Sequence, residues 1–358
     1  MRRSILYAIG VSIGALMLSA CGNDDDVVDL DNDNVRRATV TLLTTPNGLG
    51  DNGYNDDAAE GFFAFGQQTR TKLRLLLPNS LEEAEVMYRQ WLEQNATQDS
   101  AVLILGSSAY DDLARRNPAT LSGQGSRVLL FESNAPIDGI STVMIGRYGV
   151  SWLAGAMSQN FDALILAAAP GFPSLEESIA GFQDARELYA GEYQESPCKT
   201  TLHYLADGEE GFAIPDSAYH FLARRADDAF FYEEMIFPLL GGSEAGLLRF
   251  LNDDEFMMAL MIGMDVDQTG QSSRIPFSVV IRIGDVLKQY LNDWLTGREW
   301  PAYQRFGLKD GAADIVMTSH FTEYLEIADQ RYDDPDIFLS RYKEFKDEAI
   351  RKEEEYGK

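Results

Sequence analysis

The run best equipped for chemistry is Gly48-Leu49-Gly50-Asp51-Asn52-Gly53-Tyr54-Asn55-Asp56. Its glycines let a backbone turn tightly and approach a ligand. Asp51 is an acceptor-only carboxylate, suited to the amino groups or hydroxyls of a neutral polar ligand. Tyr54 sets a flat face beside it. Asn55 can cap the following helix, and Asp56 and Asp57 suit its first turn. The competing reading makes Asp51 a mere loop cap. Taken literally, Gly48-x-Gly50-x-x-Gly53 is a dinucleotide fingerprint. Asp51 would then face a pyrophosphate, and the second apolar run ends in Pro78-Asn79 where a ribose-binding acid belongs. No cofactor is therefore expected.

Other candidates follow apolar runs. Asp265 closes Ala259–Met264, and a buried carboxylate there needs a partner, either a ligand diol or an N–H group. Ser107, Ser108 and Tyr110 follow Ala101–Leu105, so they should face the same cleft. Gly242 and Ser243 offer backbone N–H groups at a helix start, or simply its cap. Phe212 stands in the polar loop from Asp207 to Asp216. Asp51 and Asp265 together could do acid–base work on a glycoside or nucleoside, yet paired acids equally suit binding a hydroxylated ligand. There is no Gly-x-Ser-x-Gly elbow and no Cys–His pair, and His203, His220 and His320 lack metal-ligand spacing. A binder is expected rather than an enzyme, with no metal.

Positioning these residues calls for alternating strands and helices. Ten short apolar runs read as strands: 39–44, 73–77, 101–105, 127–131, 142–145, 163–168, 200–205, 234–237, 259–264 and 277–282. Amphipathic stretches between them include 81–94, 175–189, 217–225 and 285–295, and a charged helix covers 338–356. Continuous apolar strands alternating with helices imply an α/β fold with parallel sheets covered on both faces. Ten strands exceed one usual sheet, so two doubly wound, Rossmann-like lobes joined by a hinge are expected. Ligands should sit at the carboxyl ends of the strands.

The 358 residues carry 30 Lys and Arg against 57 Asp and Glu, a net charge of −27. That repels nucleic acid and disfavours docking on an anionic membrane. The amino terminus reads as an export signal: Arg2-Arg3, an apolar stretch from Ile5 to Leu18, then Leu18-Ser19-Ala20-Cys21. The last four resemble a bacterial lipobox, making Cys21 the lipidated residue and anchoring the chain in the cell envelope, periplasmic or surface-exposed. Only Cys198 then remains, so the mature chain has no internal disulfide. Residues 1–20 form the signal peptide, and 21–37 an acidic tether.

Five motifs carry a family resemblance. They are Gly48-Leu49-Gly50-Asp51 through Asn55 with Ala58-Ala59-Glu60-Gly61, and Ser151-Trp152-Leu153-Ala154-Gly155. Next come Pro173 with Gly181-Phe182, then Ile236-Phe237-Pro238 with Gly241-Gly242-Ser243 and Gly246, then Met264-Asp265-Val266-Asp267-Gln268. In this order they resemble the basic membrane protein family, substrate-binding lipoproteins of ABC importers, many of them purine-nucleoside binders. The resemblance implies the type I periplasmic-binding-protein fold, with 38–145 and 282–308 in lobe 1 and 146–281 and 309–358 in lobe 2. It also implies a nucleoside-like ligand in the cleft and an ABC permease as partner. Asp51 would meet the base, with Asn52, Tyr54 and Asn55 beside it and Phe212 on the other face. Asp265 would accept two ribose hydroxyls, and Gly242 and Ser243 would bring backbone N–H groups close. The chain departs from the family at Ile281, where a sugar-binding Lys is usual; Arg282 follows it and would point to the opposite strand face unless a bulge restores the contact. Gly149 replaces an acidic residue and Asn52 a Lys. These departures leave a second expectation, a surface lipoprotein of the same fold that serves as an adhesin or scaffold.

Overall fold

A computed structural model describes residues 38–318 and 335–356, apart from 47, 52, 98–99, 119–126, 191–197, 227–233 and 254–258. Cys21, the export signal and Asn52 lie outside the described residues.

Six parallel strands form the first sheet: β1 (Thr39–Leu43), β2 (Lys72–Leu76), β3 (Ala101–Leu105), β4 (Val128–Phe131), β5 (Ser141–Ile145) and β11 (Tyr303–Phe306). Their spatial order is β11-β5-β4-β3-β1-β2. Side chains alternate across it as the pleat requires. Val40 and Leu42 of β1 face α1 (Tyr54–Thr69) and α8 (Ile283–Leu295), where Phe62, Phe65 and Leu287 are buried. Leu43 faces the other way, toward Tyr88 and Trp91 of α2 (Leu81–Asn95) and Leu113 of α3 (Asp111–Arg116). Helix α2 begins on a capping box: Ser80 accepts from the Glu83 N–H at 3.2 Å, and Glu83 reaches back to the Asn79 N–H at 2.8 Å.

The second sheet runs β7-β6-β8-β9, with β6 (Asp162–Ala167), β7 (Thr200–Tyr204), β8 (Glu234–Leu239) and β9 (Leu260–Met261), again all parallel. Ala163, Ile165 and Ala167 pack with Val150 of α4 (Tyr148–Met157) and with Ile179 and Phe182 of α5 (Pro173–Leu188). Leu164 and Leu166 pack on Ala218 and Leu222 of α6 (Pro215–Ala226) and on Leu247 and Phe250 of α7 (Glu244–Leu251). Both faces of both sheets are therefore covered, as the continuous apolar runs require.

Two strands absent from the sequence reading complete the molecule. β11 is an edge strand, and β12 (Ala313–Met317) pairs antiparallel with β10 (Phe277–Ile281). The expected strand 259–264 is only two residues long, because after Ile262, whose N–H still bonds the Ile236 carbonyl, the chain turns to β10 through a bridge between Gly263 and Ser278. Helix α8 starts two residues earlier than its periodicity suggests, since Asp57 of α1 accepts from the Gly284 N–H at 2.8 Å and caps it from outside.

The chain crosses between the sheets after β5, after β10 and after β11. Helix α9 (Pro335–Tyr356) sends Glu353 into these crossings. Its carboxylate accepts from the Gly149 N–H at 3.3 Å and the Leu308 N–H at 2.9 Å. It lies where side chains at Gly146, Gly149 and Gly307 would stand. An acidic group thus occupies the place beside Gly149, delivered by α9. Elsewhere α4 and α5 approach so closely that a Cβ on Gly181 would lie 2.2 Å from the Tyr148 carbonyl oxygen. Gly181→Ala is expected to destabilise the fold by about 1–3 kcal/mol through overpacking. A lowered urea midpoint checks this; an unchanged midpoint contradicts the packing.

Candidate functional site

The residues that end the strands converge on one cavity of about 150 Å3. From the first sheet come Thr45 and Tyr54 after β1, Ser107 and Ser108 after β3, Glu132 after β4 and Arg147 after β5. From the second come Phe172 after β6, Phe212 after β7, Gly241 and Gly242 after β8, and Met264 and Asp265 after β9. These are the positions where open α/β sheets hold ligands.

Of the expected site residues, Asp51, Tyr54, Asn55, Ser107, Phe212, Gly242 and Asp265 line this cavity. Asp51 has a different task from the expected one. Its Oδ1 accepts from the Gly53 N–H at 3.0 Å and the Asp56 N–H at 3.3 Å. Its Oδ2 accepts from the Asn55 N–H at 3.0 Å and the Asn55 Nδ2 at 2.9 Å. A carboxylate offers about four acceptor directions, so Asp51 is filled by its own loop and shapes it. Asn55 is held likewise, its Nδ2 also donating to Thr45 Oγ1 at 3.0 Å.

Three expected residues are not in the lining. Tyr110 is fully buried, with its hydroxyl donating to the Thr44 carbonyl, because a 3-10 turn capped by Ser107 rotates it into the core under β1. Ser243 is fully buried: its hydroxyl accepts from the Ile214 N–H at 2.7 Å and donates to the Gly211 carbonyl at 2.7 Å. It ties the short helix carrying Phe212 to the Gly241 turn. Arg282 flanks the start of α8, its backbone N–H donating to the Ala312 carbonyl at 2.8 Å. No bulge brings it to the cavity, and Ile281 is buried in the core.

Sequence reasoning missed Glu132 and Arg147. Arg147 Nη1 donates to Glu132 Oε2 at 2.5 Å, with the two side chains only 8% and 5% exposed. Among the described residues Glu132 Oε1 is buried without a partner, and so is the Tyr54 hydroxyl. The Asp265 carboxylate has no hydrogen-bond partner among the described residues. Its Oδ2 stands 3.3 Å from the place a Cβ on Gly53 would take, so it reaches across to the Asp51 loop. Glu132, Arg147, Asp265 and Tyr54 interact electrostatically as one cluster.

Electrostatics follow from burial. Desolvation pushes the Asp265 carboxyl from the usual 3.8 to about 6, opposed by Arg147 and reinforced by Asp51. Desolvation likewise raises Glu132 against the pull of Arg147, and raises the Tyr54 phenol with help from Glu132. Burial alone would lower the Arg147 guanidinium; Glu132 and Asp265 outweigh it and keep it charged.

The backbone adds a second mark. Three described non-glycine residues have positive φ: Arg70, at the end of α1, and the two cavity carboxylates, Glu132 at 63° and Asp265 at 64°. Such conformations cost of order 1–3 kcal/mol and gather at functional sites. On the opposite wall Phe172 and Phe212 meet edge to face with centroids 5.0 Å apart. The cavity thus combines acceptors, a guanidinium, a phenol and two aromatic rings. That set matches hydroxyl groups, which donate and accept at once. Among the described residues no cluster of His, Cys, Asp and Glu is arranged to hold a metal ion, and no helix is long and apolar enough to cross a membrane.

No protein-family model matches the chain, and no characterised protein sequence does. Solved structures do match. An ABC transporter solute-binding protein from Aeropyrum pernix superposes with a TM-score of 0.67 at 16% identity, covering 89% of this chain and 90% of that one. A sugar ABC transporter protein from Yersinia enterocolitica gives 0.58 at 15% identity, over 89% and 96%. A solute-binding protein from Agrobacterium vitis with bound allitol gives 0.57 at 11% identity, over 82% and 100%. The chain has the type I periplasmic-binding-protein fold of these solute-binding proteins.

Proposed function

We propose that this chain is the substrate-binding component of an ABC importer, a member of the basic membrane protein family anchored through Cys21 in the cell envelope. Its two lobes close on a small hydroxyl-bearing ligand of nucleoside-like character and present it to a permease. The observation that carries this reading is the pair of cavity carboxylates, Glu132 and Asp265, both held on left-handed backbone, with Glu132 Oε1 buried and unpaired among the described residues. A protein keeps such groups where a ligand completes them. The acid–base alternative is weakened, because Asp51 has no lone pair left for chemistry. The expected nucleoside contacts change: base recognition by Asp51 gives way to hydroxyl recognition by Asp265, Glu132, Arg147 and Tyr54. A cavity of about 150 Å3 holds one ring of such a ligand; benzene fills an engineered cavity of similar volume.

A thermal-shift screen of sugars, nucleosides and nucleobases on the full chain in detergent tests this. A ligand at a hundredfold over Kd is expected to add about 2.7 kcal/mol and raise Tm by several degrees. No shift with any of them would favour the scaffold or adhesin reading, which the missing cation at Ile281 supports. Lipidation is tested separately: intact-mass analysis of membrane-extracted protein should show diacylglycerol on Cys21, lost in Cys21→Ser.

A further inference from the structure

Asp265 stands at the apex of a three-residue turn: the Val266 N–H donates to the Met264 carbonyl at 2.7 Å, and φ at Asp265 is 64°. That is the rare, strained form of the γ-turn. Such a turn persists only where its surroundings hold it. Here both ends are held. The Ile281 N–H donates to the Asp265 carbonyl at 2.8 Å, and Gln268 Oε1 accepts from the Met264 N–H at 3.1 Å. Gln268 is itself buried and anchored, its backbone N–H donating to Ser278 Oγ at 3.1 Å.

With its oxygen taken, the Gln268 side chain has N–H groups left to give. That donor goes to Glu244, the first residue of α7. Glu244 is 4% exposed, and its Oε1 is buried without a partner among the described residues. It does not line the cavity, although Gly241 and Gly242 just before it do. The charges bearing on it are Asp265 and Asp51, both negative. Around α7, Asp216 of α6 pairs with Arg249, Asp267 accepts from Thr269, and Glu209 and Glu210 are exposed. Arg147 bears instead on Glu132, Asp265 and Tyr54.

We propose that Glu244 is a positioning residue of the ligand site: through the Gln268 amide it holds the strained turn that presents Asp265 to the cavity. This rests on the reading of Asp265 as a ligand acceptor. Burial and Asp265 push the Glu244 carboxyl well above the usual carboxylate range, against the Gln268 donor. Asp265, at about 6, gives up its proton first, and its charge then keeps the proton on Glu244. Glu244 therefore holds the turn as a neutral acid at pH 7. Once ionised, it would set a second desolvated charge against Asp265 and favour opening of the turn.

Calorimetric titration of the full chain in detergent with adenosine, D-ribose and D-glucose, from pH 7 to pH 9, tests this. Whichever of these the wild type binds, Glu244→Ala should bind about tenfold more weakly at pH 7. Glu244→Met, closer in volume, repeats the test should Glu244→Ala not fold. Glu244→Gln should rescue binding, because its amide oxygen also accepts the Gln268 N–H and the group never ionises. Toward pH 9 the wild type should weaken as Glu244 loses its proton, and Glu244→Gln should not; a purely structural contact would not separate the two. Without any ligand, the urea midpoint of Glu244→Gln should gain on that of the wild type from pH 5 to pH 8, since an acid with a raised folded pKa loses stability as pH climbs above its unfolded value. Glu244→Ala or Glu244→Met binding as the wild type does, or one pH profile shared by the wild type and Glu244→Gln, overturns the positioning role and leaves the binding reading intact. No binding of any of the three compounds by the wild type overturns both.

Discussion

Replacing Arg147 with Ala is expected to cost the fold about 3–5 kcal/mol at pH 7, among the largest losses any single side chain here can produce. Arg147 is the cation facing both Glu132 and Asp265, and its ion pair with Glu132 is almost fully enclosed. Removing it strands two desolvated carboxylates whose protonation is already favoured by burial. The loss should therefore shrink as pH falls and both groups take up protons, leaving neutral acids at lower cost. The double variant Glu132→Gln with Arg147→Met should recover much of the stability at pH 7, because neutral groups of similar volume often replace a buried pair at little net cost. Urea unfolding at pH 5 and pH 7 measures all of this. An Arg147→Ala loss below about 1 kcal/mol would mean the pair is solvated and the cavity less enclosed than its geometry indicates.

That pair also marks the limit of what the sequence made legible. Strand positions could be read because continuous apolar runs such as Ala101–Leu105 and Ser141–Ile145 are what a parallel sheet covered on both faces requires. β11 escaped because Tyr303–Phe306 is a short, half-polar edge strand with no apolar run to announce it. The site was legible only as an address. The rule that ligands meet strand carboxyl ends found Asp51, Ser107 and Asp265, and it applies equally to Glu132, directly after Phe131, and to Arg147, two residues after Ile145. Neither has a motif around it, so nothing drew the rule to them. Asp51 shows the opposite failure. The glycine-rich loop was correctly placed, but whether a carboxylate faces a ligand or its own backbone depends on φ and ψ across five residues. Composition does not encode that. The same holds for Glu353, whose place beside Gly149 depends on a contact between residues two hundred positions apart.

The crossings between the sheets and the cavity are linked through Glu177. It accepts the Arg147 backbone N–H at 3.0 Å and is gripped by Arg305 at 3.0 and 2.8 Å. Arg305 lies in β11, just before the crossing that Glu353 fills. Glu177 thus ties the strand before that crossing to the backbone of the residue that pairs with Glu132.

Asp265→Asn is expected to do the reverse of most site substitutions and stabilise the empty protein. The folded state holds the Asp265 carboxyl at about 6 against the usual 3.8, chiefly through desolvation. An acid whose folded pKa is raised contributes its full stability below the unfolded value and loses it as pH rises through the folded one. Between about pH 4 and pH 7 the wild type should therefore forfeit up to about 3 kcal/mol that the neutral amide keeps. The backbone does not object, since Asn tolerates the left-handed conformation at φ 64° at least as well as Asp. Urea midpoints from pH 4 to pH 8 should fall with rising pH in the wild type and stay flatter in the variant. The same variant should lose ligand affinity by one to two orders of magnitude, about 1.5–3 kcal/mol, because an amide replaces the charged acceptor for ligand hydroxyls. Stability gained and binding lost at one residue is the signature of a group retained for its ligand and not for the fold. A variant that is destabilised, or that binds as the wild type does, would remove Asp265 from the binding site.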